Sequence, residues 1–376
     1  MRTPLTWLNL QQHKARLAVT ALGLSLATTL LFVHLGIFHG MTHNAVRLYS
    51  ALDFDLALVS SRYSWQLEPD RFSVRRLHYL RRYDAIDSVE PVRVRSGLFR
   101  NIQEGTSHFT LIVGIDPNAD TFREAELNER ASLVRDDRSL LMDSLSMNVY
   151  GDWGVGSRPE VIGQRCRIVG DLEIGPGIVA PGLAVVSHQT YDQLFGRENV
   201  GTATLGLIRL ADRADPERVA ALMNADLPKD VRVLTRTDLE HRERHHLLFV
   251  RPVGVIFGSN VVIALALAVI VIYQVLCTEV SNRLREFATI HALGYSLGFV
   301  RGVVLRQTAF ILVVSFIPAV TVSVLLYKVL EEMSRMPIVM TAERLLFVAS
   351  LLAGTSFLAA LAATTRLRRL EPAELF

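Results

Sequence analysis

The chain has 376 residues, 50% of them hydrophobic and 20% charged, and 40 Lys and Arg against 37 Asp and Glu give a formal charge of +3. That mixture suits neither a wholly soluble nor a wholly membrane-embedded protein, and so small a net charge argues against a nucleic-acid partner. Two cysteines, Cys166 and Cys277, are too few for a disulfide scaffold.

The amino-terminal residues 1–16 carry Arg2, Lys14 and Arg16 and read as a cytoplasmic amphipathic segment before the apolar run Leu17–His39. Crossing about 30 Å of hydrocarbon takes roughly 20 helical residues, which this run supplies. It also exceeds the roughly 7–15 residues of a signal-peptide core, so residues 17–39 are read as a retained first transmembrane helix.

Residues 40–251 form a large outer domain. The stretch "DFDLALVSS" alternates as a half-buried strand does, "RFSVRRLHYLRRY" reads as a helix and "VEPVRVRSGLF" as a second strand. The far end repeats that order with "TATLGLIRL", "DPERVAALMNADL" and "VRVLTRTDL", where Asp215 is the expected helix cap and Pro216 the first helical residue. The sequence therefore predicts a split α/β subdomain over 53–100 and 201–238, with a β-rich subdomain inserted over 101–200. The flanks "MTHNAVRLYSAL" and "TDLEHRERHHLLFVRP" read as helices running straight into the membrane spans.

Three further spans are expected at 252–277, 303–327 and 344–365, with their apolar cores at Pro252–Cys277, Thr308–Tyr327 and Leu345–Thr365. Basic residues mark the cytoplasmic side: Arg283, Arg285, Arg301 and Arg306 after the second span, and Arg366, Arg368 and Arg369 in the tail 366–376. The segment 278–302 is then cytoplasmic, and the loop 328–343 lies outside. This topology separates Cys166 from Cys277 and forbids their pairing. Pro318 is expected to bend the third span, and Ala349 with Ala353 and Ala359 with Ala363 offer small-residue surfaces for close helix packing.

The sequence contains no G-x-x-x-x-G-K-[ST] loop, and "YGDWGVGS" reads as a turn. Any nucleotide hydrolysis belongs to another chain. His241, His245 and His246 include a pair one helical turn apart, but no acidic or cysteine ligand follows at a convincing spacing, so a solvated stalk is the better reading. Asp143, Ser144, Ser146 and Asp152 in "LMDSLSMNVYGD" lack a nucleophile elbow and read as a helix with its cap and turn. His34 and His39 read as groups near the outer interface or facing other helices, not as a proton relay.

The stretch "RLREFATIHALGY" stands apart, because a charged amphipathic helix interrupts two apolar spans. On a helix Val280, Leu284, Phe287 and Ile290 share one stripe, and Glu279, Arg283, Arg285 and Glu286 fan out around it. The bland alternative is a connector lying in the headgroups; the functional one is a coupling helix that docks into a cytoplasmic ATPase.

"RLREFATIHALGYSLGFV" resembles the R-x-x-E-x-x-x-x-x-A-x-G element of the FtsX/MacB-like family of ABC-transporter permeases, and "RLRRLEPAELF" resembles that family's basic tail. Within the family, "VGIDP" and the absence of a fused ATPase are similar to the DevC branch. Arg283, Glu286, Ala292 and Gly294 match the element, with Gly294 expected to end the coupling helix through a left-handed cap.

The resemblance implies an α-helical membrane protein with four transmembrane helices and a large α+β periplasmic domain of two subdomains inserted between helices 1 and 2. It implies a non-catalytic permease in the bacterial inner membrane, with both termini cytoplasmic. The expected ATPase-coupling residues are Glu279, Arg283, Arg285, Glu286, Phe287, Ile290, Ala292 and Gly294. No cofactor is expected in this chain, ATP and Mg residing on the partner. Expected partners are a separate cytoplasmic ABC ATPase, a second copy of the chain, a periplasmic membrane-fusion adaptor, a TolC-like outer-membrane channel and the lipid bilayer. The alternatives are an FtsX-like signal transducer that activates a periplasmic hydrolase and a LolC/LolE-like lipoprotein-extracting permease.

Overall fold

The computed structural model describes residues 14–101, 103–175, 177, 180–212, 214–282, 297–334 and 338–367. Two compact units emerge: Gly40–Val255, and the helical segments that flank it in sequence.

The first unit is built on a mixed sheet of ten strands: β1 (Leu56–Ser60), β3 (Ile86–Arg100), β4 (Ser107–Ile115), β5 (Ser139–Asp143), β6 (Glu160–Val161), β7 (Gln164–Arg165), β8 (Arg167–Leu172), β9 (Gly182–Ser187), β11 (Leu205–Leu210) and β12 (Val231–Thr235). The main order is β12-β1-β11-β3-β4-β9-β5-β8, with β6 pairing the end of β3 and with β7. A two-stranded ribbon joins β2 (Phe72–Ser73) to β10 (Thr202–Ala203). Pairing is antiparallel except at β4–β9 and β5–β8. The 15-residue β3 pairs over 86–92 with β11 and over 93–100 with β4, so it belongs to both halves of the domain.

Side-chain alternation on these strands makes two faces. On one, Leu56 and Leu58 of β1 pack under α3 (Val74–Tyr79) and α6 (Pro216–Asp226) with Leu77, Ala220 and Met223. Farther along the sheet, Ile112, Leu140 and Val186 pack under α5 (His188–Phe195) with Tyr191 and Leu194. The opposite face carries one unbroken core, from Ala57 and Val59 through Val92, Val94, Val113 and Val185 to Leu172. Helices α2 (Arg47–Ala51), α4 (Ala125–Ala131) and α7 (Arg236–His245) contribute Leu48, Leu127 and Leu239 to it.

Two readings change. β1 is buried on both faces rather than half-buried, because helices cover the sheet on both sides. Leu141–Asp143 lies in strand β5, not in a helix: a short apolar run has no decisive period, and pairing with β8 and β9 settles it. The cap at Asp215 forms as expected, accepting from the Glu217 N–H with Pro216 at the first turn.

The helical unit contains α1 (Lys14–Asn44), α8 (Pro252–Asn282), α9 (Leu297–Ser334) and α10 (Ala342–Leu367). Among the described residues three helices are long and apolar enough to cross a membrane: Ala18–Asn44, Pro252–Gln274 and Leu305–Met333. Val262 and Ile317 remain 65% and 64% exposed, which a hydrocarbon solvent tolerates and water does not. α9 continues unbroken through Pro318. Tyr327 Oη donates to the Phe32 carbonyl, and Arg344 Nη1 donates to Tyr327 Oη at 3.2 Å and to Val339 O at 2.9 Å, which ties α1, α9 and α10 together. Gly36 makes room, since a Cβ there would lie 2.6 Å from the Tyr327 ring.

Where β3 changes neighbours, Thr204 Oγ1 accepts from Val94 N at 2.8 Å and Thr204 N donates to Val92 O. Thr204→Val orphans the buried Val94 N–H at a cost of about 1–3 kcal/mol. Thermal unfolding of the full chain in detergent should show the midpoint falling by roughly 2–4 °C per kcal/mol.

Candidate functional site

Of the expected coupling residues, Glu279 lies on α8. Arg283, Arg285, Glu286, Phe287, Ile290, Ala292 and Gly294 lie outside the described residues.

A buried polar junction forms where the chain enters and leaves the outer domain. Thr235 caps α7, accepting from Asp238 N at 3.1 Å and donating through its hydroxyl to the Asp238 carboxylate at 2.7 Å. The helix then turns Leu239, Glu243 and Leu247 inward at four-residue spacing, with Glu243 only 1% exposed. Its carboxylate accepts from Tyr63 Oη at 2.6 Å and from Gln66 N at 3.2 Å. Tyr63 Oη is also 2.5 Å from Tyr49 Oη, and Gln66 Nε2 donates to Ala45 O at 3.1 Å. At the start of α7 the Arg236 guanidinium donates to the carbonyls of Phe54 at 3.2 Å, Tyr49 at 3.0 Å and Leu52. The incoming segment Ala45–Phe54 and the outgoing helix are thereby tied directly and through the Tyr63–Gln66 loop.

Burial pushes the Glu243 carboxyl up to about 7 against the hydrogen bonds from Tyr63 and Gln66 that favour its charged form. Unfolding restores a carboxyl near 4.5, so the protonated junction is fully stable below that pH and loses stability as pH rises through 7.

Past the junction α7 loosens into a π-turn at His246–Val250 and stops at Arg251, whose φ of −86° and ψ of 138° are extended. The expected straight run into the second span is therefore broken. Pro252 explains it, because a proline ring excludes the helical conformation at the preceding residue. Arg251 is clamped over the Trp65 ring at 4.3 Å and to Glu68 at 2.6 Å, and Trp65 stacks on His246 at 5.1 Å. Gly254 fits against this bend because a Cβ would lie 2.1 Å from Leu247 O.

The other sequence candidates are placed as follows. His241, His245 and His246 line a cavity of about 680 Å³ with Arg62 and Arg242, and no group of three metal-ligating side chains occurs among the described residues. Asp143 accepts from Leu145 N at 2.9 Å and from Gly175 N, and burial pushes its carboxyl up to about 6. Ser144 Oγ donates to Leu172 O at 3.2 Å, and Ser146 Oγ accepts from Leu183 N at 3.3 Å. The backbone thus engages Asp143, Ser144 and Ser146, while the Gln103 side chain bonds the backbone N and O of Asp152. His34 Nδ1 lies 2.8 Å from Leu30 O, one turn earlier on its own helix.

Sequence reasoning missed Glu243, Tyr49, Tyr63 and Arg236. Leu239-Glu243-Leu247 was the available signal: a carboxylate within an apolar helical stripe must find buried partners. No such signal attaches to Arg236, whose acceptors lie 182 to 187 residues away.

Two outcomes follow from this geometry. Between pH 5 and pH 8 the native chain should lose up to about 3 kcal/mol relative to Glu243→Gln, read as converging or crossing thermal midpoints; parallel curves refute a titrating Glu243. Gly254→Ala should lower the midpoint by several degrees, because backbone must move by about 1–3 kcal/mol of overpacking to admit the Cβ.

The MacB-like periplasmic core domain model matches residues 17–226, and the FtsX-like permease C-terminal model matches residues 259–372. No curated protein matches the chain. Among solved structures, the periplasmic region of MacB from Actinobacillus actinomycetemcomitans is 10% identical, with a TM-score of 0.37 over 52% of this chain and 94% of that one. The extracellular domain of the noncanonic ABC-type transporter YknZ from Gram-positive bacteria is 16% identical, with a TM-score of 0.33 over 48% and 99%. A domain of a putative permease from Porphyromonas gingivalis is 14% identical, with a TM-score of 0.32 over 48% and 91%. With one model covering most of the outer domain and its leading helix and the other covering the helices that follow, the chain belongs to the FtsX/MacB family of ABC-type permeases.

Proposed function

We propose that the chain is a non-catalytic permease subunit that carries ATP-driven motion from a separate cytoplasmic ATPase to its outer domain. In this reading it has four transmembrane helices, both termini are cytoplasmic, and it works as a homodimer in the bacterial inner membrane. ATP and Mg bind the partner, and the outer domain engages a periplasmic adaptor and a TolC-like channel in an export system of the DevC type.

The observation that carries this reading is the junction of Glu243, Tyr63, Tyr49 and Arg236. A domain whose two chain ends share one buried network responds as a body when either end is displaced, because buried polar partners are costly to separate. The FtsX-like match encloses residues 279–294, whose sequence has the amphipathic pattern expected of a segment that receives that displacement.

The test is reconstitution of the full chain with its separately encoded ATPase, comparing native protein with Glu286→Arg. The variant should fold and dimerise normally yet lose ATPase binding and at least about tenfold of the stimulation, the effect of a like charge at a docking contact. Unchanged binding and stimulation would make the segment a membrane-surface connector and remove the coupling role.

A further inference from the structure

We propose that the outer domain carries a binding site for a phosphate-class oxyanion, in the cavity of about 680 Å³ between the start of the Ser61–Ser64 loop and the outer side of α7. Nothing in the coupling reading requires this site, and the two stand or fall separately.

Cations and imidazoles dominate the wall. Arg62, Arg242, His241, His245 and His246 line it, against the single carboxylate of Asp238. Asp238 already accepts from the Thr235 hydroxyl and sits at the amino-terminal turn of α7, both of which offset its charge. Arg62 is paired with Asp70 at 3.0 Å. Arg242 has no ion pair among the described residues, although Glu240 and Glu243 on the same helix are engaged by Arg244 and Tyr63. A half-buried guanidinium beside imidazoles and without a carboxylate of its own is a donor set that matches tetrahedral oxyanions.

An unpartnered nitrogen supplies a second, independent observation. His246 lines the cavity, and its Nε2 is shielded from solvent without a hydrogen-bond partner. Buried imidazole nitrogens without partners are rare, and one carried by a residue that lines a basic cavity points to an acceptor that the chain itself does not supply.

Two sources offer that chemistry. Val250 lines the same cavity, and one residue, Arg251, separates it from the apolar helix that begins at Pro252. A phospholipid headgroup is therefore one source, free phosphate the other, and the binding chemistry is common to both.

The experiment uses the full chain in a phosphate-free maltoside detergent. Equilibrium dialysis with radiolabelled inorganic phosphate measures saturable binding, and phosphatidylglycerol is then added as competitor. Native protein should bind about one phosphate per chain, and Arg242→Gln and His246→Phe should each weaken binding by about tenfold or more. His246→Phe keeps the ring stack on Trp65, and a normal gel-filtration profile for either variant shows that the fold is retained. Arg218→Gln, an exposed arginine on α6, should bind as the native chain does. Displacement of phosphate by equimolar phosphatidylglycerol assigns the site to a headgroup; no displacement assigns it to the free ion, and both outcomes support it. Absence of saturable binding below about 10 mM together with no retained phosphatidylglycerol, or native binding by both variants, overturns the proposal.

Discussion

The Glu243 carboxylate, held by Tyr63 and Gln66 with Tyr49 behind, is the interaction on which the outer domain's attachment depends. An inserted domain has two covalent connections to the rest of its chain, and nothing in covalent geometry keeps them together. Here a buried carboxylate on the outgoing helix is bonded to a loop that also holds the incoming segment through Ala45 O. Removing one partner strands the others without water, which is why such networks fix a single arrangement of the elements they join.

The junction sits on the face of the sheet whose core is continuous. Tyr49, Tyr63, Leu239 and Leu247 belong to the same cluster as Val94, Val113, Val185 and Leu172. Because β3 runs through both halves of the sheet, that cluster extends from the attachment point to the strands farthest from it. Close-packed interiors transmit strain, so this face couples the attachment point to the far half of the domain without a hinge in between.

Much of this was legible in the sequence. The strand–helix–strand order at both ends of the outer region and the Asp215–Pro216 helix start were readable because each rests on local chemistry: side-chain alternation, a capping carboxylate, a fixed proline φ. The continuous sheet was not readable, since strand order is set by pairings such as Arg93 with Gly114 and Gly114 with Val186, which no local pattern records. Leu141–Asp143 misled because three residues are too few to separate a period of 2 from one of 3.6. Tyr49, Tyr63 and Glu243 come from three separate segments and met only on folding. The break before Pro252 was legible, and the helical pattern of "TDLEHRERHHLLFV" outweighed it in the reading.

That break makes the two attachments mechanically unequal. On the incoming side α1 is one helix from Lys14 to Asn44, followed within a few residues by α2 and the junction. On the outgoing side the junction is followed by a π-turn, an extended Arg251 and only then α8. The joint is held by the Arg251–Glu68 pair, in which Glu68 is mostly exposed, and by the stack on Trp65. Exposed ion pairs and cation–π contacts are each worth about 1 kcal/mol or less, whereas breaking a buried hydrogen-bonded carboxylate costs several-fold more. Residues 246–254 are therefore held to the outer domain by weaker contacts than the junction that precedes them.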